Sequence, residues 1–198
     1  MVWDELARGA DEANQRDRDR WIGVYIGFLA VILAICSMGG GNAAKEATLK
    51  NIEAANTWSF FQAKNMRRHV VRLQVDELEL LKASTSSLSP EAVATIDAKI
   101  ADYKKLDAEL TSNPKLNEGL DELFNRGKAL EAERDEAMRQ DPYFDYGEAF
   151  LQIAIVLGGV AIISSGSMLI AASAVMGALG ALMTLNGFTL FFTIPFIG

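Results

Sequence analysis

The hydrophobic and polar positions of this chain form long uncharged runs that alternate with long amphipathic runs. The last 50 residues, 149–198, contain no Asp, Glu, Lys or Arg. Because a membrane helix needs roughly 20 mainly apolar residues, this stretch predicts two spans, at about 147–164 and 168–191, joined by a turn at 165–167. Another uncharged run, residues 21–38, predicts a further span nearer the N-terminus.

The first span is expected to be retained rather than removed as a leader. A cleaved signal peptide has an early apolar run, whereas residues 1–20 are polar and the apolar run begins only at Trp21. The triplet Gly39-Gly40-Gly41 follows the span. Because glycine loses more backbone entropy in a helix than other residues, this triplet predicts an end or a hinge of the first helix.

The segment between the spans, residues 43–146, has the periodicity of helices. Residues 43–82 predict one long helix with a stripe of coiled-coil spacing. The stripe consists of Met66, Val70, Leu73 and Leu80. Ser89-Pro90 predicts the start of a second helix, with serine as N-cap and proline at the first position. Asn113-Pro114 and Asp141-Pro142 repeat this signal and predict two more helix starts.

The two later helices each show one apolar face. The face of the second contains Val93, Ile96, Ile100, Tyr103, Leu106 and Leu110, and that of the third contains Leu116, Leu120, Leu123, Gly127, Leu130, Arg134 and Ala137. At about 1.5 Å per residue the first helix would rise roughly 60 Å. Because the chain must return to the bilayer, we expect a two-armed hairpin whose return arm breaks at Asn113-Pro114.

The fold predicted from these patterns is all-α. It is an integral membrane protein with three transmembrane helices and a long, coiled-coil-like extramembrane hairpin between the first and second. The expected parts are a polar tail at 1–20, the first span and glycine hinge at 21–42, the hairpin at 43–146, and two spans at 147–198. Aromatic belts are expected at the headgroups. Their members are Trp21, Tyr25, Tyr143, Phe144 and Tyr146.

Charge narrows the range of partners. The net charge is -7, and all charged residues lie in 1–20 and 43–148. Nucleic acid selects basic faces, so an acidic chain argues against it, and equally against a hairpin lying flat on anionic lipid. The expected partners are the lipid bilayer and either further copies of the chain or another membrane protein.

The residues that usually carry chemistry are sparse. His69 is the single histidine and Cys36 the single cysteine, whereas zinc or imidazole catalysis usually needs several such groups. Cys36 lies in an apolar run without a basic neighbour to activate it. The glycine triplet lacks the Lys-Ser/Thr of a phosphate loop. We therefore expect no catalytic residues, no cofactor and no metal, and a protein that is not an enzyme.

Small residues in the spans are candidate helix contacts, because close backbone approach drives helix association in lipid. Gly23 and Gly27 share one face of the first span, although such spacing is common in spans. Gly177 and Gly180 lie in the last span, which is rich in small residues. Asn186 in the same span predicts a hydrogen bond between helices, with a pore or substrate contact as the alternative.

An aromatic cluster in the first hairpin arm supplies the remaining candidates. Trp58, Phe60, Phe61 and Gln62 are close in sequence. Because successive helical residues point about 100° apart, the three rings surround much of the helix. One side can pack on the return arm, and another subunit or partner could occupy the other. Trp58, Phe61 and Gln62 are therefore interaction candidates, with packing inside one chain as the alternative.

Two segments resemble a known family of bacterial membrane proteins. Residues 55–64, Ala-Asn-Thr-Trp-Ser-Phe-Phe-Gln-Ala-Lys, are similar to the Trp-aromatic-aromatic-Gln-Ala-Lys signature of the Domain of Unknown Function 4337 family. Residues 141–145 and 151–157 resemble that family's entry into its second span. The resemblance implies three spans and a helical extramembrane insert, and it implies no activity. The turn at 164–168 departs from the family because it lacks basic residues.

The favoured function is a non-enzymatic membrane scaffold or accessory subunit, acting in a homo-oligomer or a larger membrane complex. A small channel or transporter-like oligomer is the alternative, with Asn186, Thr184 and Gln152 along its axis. A helical sensor domain is a further alternative. The expected location is the bacterial inner membrane. Arg16, Arg18 and Arg20 flank the first span, which favours a cytoplasmic N-terminus and a periplasmic hairpin.

Overall fold

The computed structural model describes the backbone of residues 2–164 and 166–194, and the side chains from residue 15 onward within those ranges. Its elements are helices: α1 Val2–Ser84, α2 Pro90–Thr111, α3 Leu120–Ser164 and α4 Ser167–Thr189. The described residues contain no strand. The all-α prediction is therefore confirmed. Three helices, α1, α3 and α4, are long and apolar enough to cross a membrane.

The chain divides into two compact units. The apolar unit comprises residues 1–47 and 135–198, and the hairpin unit comprises residues 48–134. The buried core of the apolar unit consists of Leu29, Cys36, Ala43, Phe144, Leu151 and Ala154. The hairpin unit contains the second part of α1, all of α2 and the first part of α3.

The glycine triplet does not end α1, so the predicted helix end at this point is wrong. Helix α1 runs without interruption through Gly39, Gly40 and Gly41. An added Cβ at Gly39 would lie 2.5 Å from Cε1 of Phe144, and one at Gly40 would lie 3.0 Å from Cβ of the same residue. The missing side chains let Phe144 approach the backbone of α1. This packing compensates for the entropy that glycine loses in a helix.

The Pro signals differ in outcome because their surroundings differ. Ser89 caps α2 as predicted, since its hydroxyl accepts a 3.2 Å hydrogen bond from Ala92 N. Pro142 instead lies inside α3, so Asp141-Pro142 does not start a helix. The two residues that follow, Tyr143 and Phe144, are 1% and 2% exposed, and their burial outweighs the backbone hydrogen bond that the proline removes. They are core residues rather than an aromatic belt.

The return arm breaks where Asn113-Pro114 predicted, but the next helix begins later. Helix α2 ends at Thr111, and α3 begins at Leu120. The carboxylate of Glu122 accepts hydrogen bonds from Ser112 Oγ at 2.7 Å and Asn113 N at 3.1 Å. Asn113 N therefore stabilises the loop, and no helix starts at this residue.

The faces predicted for the return arm pack inward. Ile100 and Leu110 of α2 are buried, as are Leu120, Leu123, Gly127 and Leu130 of α3. Leu116 is the exception, because it lies in the loop and is 67% exposed. The stripe predicted on α1 also lies outside this packing, since its four members are 51–69% exposed.

Candidate interaction sites

Trp58 of α1 lies at the centre of an aromatic cluster in the hairpin unit. Its ring packs edge-on against Phe61 and Phe124, with centroid distances of 5.6 and 5.7 Å. Its Nε1 donates a 2.9 Å hydrogen bond to Glu131 Oε1 on α3. An added Cβ at Gly127 would lie 2.9 Å from the indole. Only glycine at this position lets the ring lie on the backbone of α3.

The charges around Trp58 are arranged to hold the carboxylate of Glu131. Lys128 Nζ lies 2.8 Å from Glu131 Oε2 and 5.8 Å from the centroid of the indole. The hydrogen bond from Lys128, followed by that from Trp58, holds the pKa of Glu131 below its usual range. Glu131 is therefore a charged acceptor for the indole N–H at neutral pH, which makes this a charge-assisted hydrogen bond.

The structure divides the sequence-predicted aromatic candidates between two environments. Trp58 and Phe61 pack inside the hairpin, whereas Gln62 is exposed. Phe60 is 42% exposed and lies under Lys64 Nζ at 5.1 Å. The sequence did not point to Glu131 or Phe124 as partners of Trp58. Gly127 was the available signal, because it interrupts a run of leucines on the face that packs inward.

A second set of polar contacts joins α1 to α2. Arg72 donates two hydrogen bonds to Asp107, at 2.8 and 3.1 Å. The hydrogen bond from Arg72 holds the pKa of Asp107 below its usual range. Two further pairs, Lys104–Glu79 at 2.9 Å and Lys82–Asp97 at 2.5 Å, follow along the same helices. Exposed pairs contribute little stability each, so their main effect is to select the register of α2 on α1.

The two glycines predicted as contacts in the last span face helices of their own chain. An added Cβ at Gly177 would lie 2.9 Å from both Leu29 Cδ2 and Tyr25 Oη. One at Gly180 would lie 2.6 Å from Leu151 Cγ and 3.0 Å from Gly147 O. Gly177 therefore receives side chains of α1, and Gly180 lies against the backbone of α3. By contrast, a Cβ added at Gly23 or at Gly27 would meet no atom of another element within 4 Å.

Hydrogen bonds join the three helices of the apolar unit at Ser173. Tyr25 Oη of α1 donates to Ser173 O at 3.0 Å. Ser173 Oγ donates to Ala154 O of α3 at 2.6 Å. Ser173 and Ala154 are fully buried. The sequence placed Tyr25 in an aromatic belt and did not single out Ser173 among the small residues of α4.

The predicted hydrogen bond of Asn186 to another helix is wrong, because Asn186 binds the chain that follows its own helix. Its Nδ2 donates to Phe192 O at 2.8 Å, and its Oδ1 accepts from Phe192 N at 3.1 Å. Tyr143 Oη accepts from Ile194 N at 3.0 Å nearby. Asn186 is 1% exposed, so its amide is committed to the turn after α4. Thr184 likewise donates to Gly180 O, at 2.8 Å, within α4.

The described residues offer no cluster of His, Cys, Asp and Glu that could hold a metal ion. In the hairpin unit, an open cleft of about 280 Å³ lies between α1 and α3. It is lined by Glu53, Asn56, Thr57, Phe60, Leu123 and Arg126.

These features define an all-α chain with three helices apolar enough to span a membrane and an aromatic helical hairpin. A family model described as Domain of unknown function (DUF4337) matches residues 18–190. The chain therefore belongs to this family, as the Trp58 segment and the span-entry segment predicted. No curated protein and no solved structure gives a significant match.

Proposed function

We propose that this protein is a non-enzymatic scaffold or accessory subunit of the bacterial inner membrane, which works in a homo-oligomer or a larger complex. The observation that carries the proposal is the apolar surface that α1 exposes in the hairpin unit. Met66, Val70 and Leu73 follow one another on one face of α1 at steps of 4 and 3, and they are 51–66% exposed. Contiguous exposed apolar patches are typical of interaction sites.

The cluster around Trp58 supports this proposal indirectly, because it holds α3 against α1 and makes the hairpin a platform for a partner. Trp58 is held by Glu131 and by the edges of Phe61 and Phe124. Such aromatic pairs contribute beyond the area they bury. The aromatic residues thus fix α3 against α1, and the partner surface is on another face of α1.

Three spans, at about 21–38, 147–164 and 168–189, anchor this platform in the bilayer under the proposal. The proposed orientation has the N-terminus in the cytoplasm and the hairpin in the periplasm, because arginines flank the first span. The channel alternative draws no support from Asn186 or Thr184. Both side chains hydrogen-bond to backbone within their own chain.

The mass of the protein assembly in lipid tests this proposal. The full chain would be extracted from bacterial membranes into lipid nanodiscs without detergent and weighed by native mass spectrometry. The proposal expects assemblies larger than one chain. A single chain with no bound protein at membrane concentrations would overturn it. Solute flux through vesicles containing the purified protein would instead support the channel alternative.

A further inference from the structure

Two buried side chains hold the segment that follows α4. We call this segment, residues 190–194, the strap. The amide of Asn186 binds both the N–H and the C=O of Phe192. The hydroxyl of Tyr143 donates to Phe192 O at 3.4 Å and accepts from Ile194 N at 3.0 Å. Asn186 and Tyr143 are each 1% exposed, so the strap is fastened both to α4 and to the start of the apolar part of α3.

These tertiary contacts determine the turn that leads into the strap. Leu190 has a left-handed backbone, with φ 46° and ψ 35°, and its N–H donates to Asn186 O at 2.8 Å. A leucine disfavours this region because its Cβ crowds the backbone. Such a conformation persists where the surrounding structure imposes it. The bonds of Asn186 and Tyr143 therefore specify the direction in which the strap leaves α4.

The strap presents aromatic side chains outward. Phe191 is 88% exposed and Phe192 is 43% exposed. They continue the exposed apolar surface of α4, where Leu182, Leu185 and Phe188 are 50–62% exposed. Under the proposed function this surface of α4 faces lipid. The strap extends the same surface beyond the end of the helix.

Charged residues next to Tyr143 limit the depth at which the strap can lie. Asp141 and Asp145 flank Tyr143 on α3, and each lies about 3 Å from it along the helix axis. Carboxylates are costly in the hydrocarbon core of a bilayer, and Asp145 is exposed. This part of α3 therefore belongs at the level of the lipid headgroups. Because Tyr143 binds the strap, Phe191 lies close to the boundary between headgroups and acyl chains.

We propose that the strap is an interfacial membrane anchor, which inserts Phe191 and Phe192 at the headgroup boundary of the leaflet where α3 enters the bilayer. Large apolar side chains bind lipid at this depth. Asn186 and Tyr143 pair backbone groups of the strap, and unpaired backbone groups are costly where water is scarce. The inference rests on the membrane placement in the proposed function and is independent of the scaffold role.

Spin-label accessibility tests this depth in the full-length protein, reconstituted into vesicles of phosphatidylcholine and phosphatidylglycerol. Single labelled cysteines would replace Phe191, Leu182 or Ala98 in a Cys36→Ser background. Molecular oxygen concentrates in lipid, whereas nickel ethylenediaminediacetate stays in water. We expect the ratio of oxygen to nickel collisions at Phe191 to be severalfold higher than at Ala98, an exposed residue of α2. It should be lower than at Leu182, which lies within the span.

Substitution of the two holding residues tests how the strap is fastened. Asn186→Leu removes both hydrogen bonds to Phe192 and keeps a side chain of the same branching. Tyr143→Phe removes the hydroxyl and keeps the buried ring. Each substitution should release the strap, which would appear as a narrower and more mobile spectrum of the label at Phe191.

Thr189→Val is the matched control for these substitutions. Thr189 Oγ1 donates to Leu185 O within α4, so its removal deletes a hydroxyl beside the strap without touching the strap's own bonds. The spectrum of the label should stay as in the parent. An equally unchanged spectrum in both Asn186→Leu and Tyr143→Phe would overturn the holding role of these residues.

The remaining outcomes separate the anchor from the membrane placement. A collision ratio at Phe191 equal to that at Ala98, with Leu182 in lipid, would overturn the anchor and leave the membrane placement intact. A ratio equal to that at Leu182 would overturn the interfacial depth. An immobilised label with few collisions of either kind would overturn lipid as the partner, because it would indicate a protein contact. Water-like ratios at both Phe191 and Leu182 would overturn the anchor and the membrane placement together.

Discussion

The ring of Phe144 lies against the backbone of α1 at Gly39, where an added methyl group has no room. The Cβ of an alanine there would lie 2.5 Å from Phe144 Cε1 and 2.9 Å from Phe188 Cζ. The ring also lies against α4, because an added Cβ at Gly187 would lie 2.8 Å from the same Cε1 atom. Gly39→Ala therefore forces two helices of the apolar unit apart.

Two opposing effects determine how much Gly39→Ala changes the unfolding free energy. Overfilling a packed core costs about 1–3 kcal/mol. Replacing glycine by alanine within a helix stabilises the helix by about 1 kcal/mol. Gly41→Ala gives the same gain in helix propensity without the clash, because a Cβ added at Gly41 would meet no atom of another element within 4 Å. The difference between the two variants isolates the packing cost, and we expect Gly39→Ala to be less stable than Gly41→Ala by about 1–3 kcal/mol.

Unfolding of both variants by SDS titration in mild detergent, followed by circular dichroism, measures this difference. A second substitution, Phe144→Leu, tests the cause. Combined with Gly39→Ala it should recover part of the loss, which would appear as a coupling energy of about 0.5–3 kcal/mol. Equal stability of Gly39→Ala and Gly41→Ala would refute the close approach of Phe144 to α1.

Three further predictions concern the hairpin unit. Trp58→Ala should lower the unfolding free energy by roughly 2 kcal/mol, about half the cost at a fully buried site, while Trp58→Phe, which keeps a ring but loses the donor to Glu131, should lower it less. The pKa of Asp107 is lowered by Arg72, so this pair stabilises the folded state at pH values above the unfolded pKa of about 3.9. That stability is lost as the pH falls through the folded pKa. Asp107→Asn should therefore reduce the drop in melting temperature that the parent shows between pH 5 and pH 2. A membrane-impermeant maleimide should label Ser86→Cys in intact spheroplasts, and labelling only after lysis would reverse the proposed orientation.

Helix starts show how far local sequence predicts this fold. Ser89-Pro90 is a correct start because its cap needs only Ala92, three residues away. Asp141-Pro142 has the same local signature but lies inside α3. Burial of the aromatic residues that follow Pro142 decides the outcome there, and that burial depends on α1 and α4. A local signal is therefore decisive only where no distant packing opposes it.

The contacts of the candidate sites depend even more on distant residues. Trp58 finds Glu131, which is 73 positions along the chain. The sequence showed that Trp58 was unusual but could not identify the residue opposite. The role of Gly39 likewise could not be predicted from its neighbours in sequence, because it depends on contact with the ring of Phe144. Asn186 was predicted to bind another helix, whereas its partner lies in the turn after its own helix.

The two apolar faces of α1 explain why periodicity alone could not select the face that folds the hairpin. Both faces recur at helical spacing, so hydrophobicity does not separate them. On the face that packs against α2 and α3, Trp58 has a glycine opposite. Arg72, 14 residues further along α1, has a carboxylate on α2. The exposed apolar face with Met66, Val70 and Leu73 has no such partners in the described chain, and Leu73 stays 61% exposed. Specific partners determine which face the chain covers itself, and the remaining apolar face is therefore the one available to another chain.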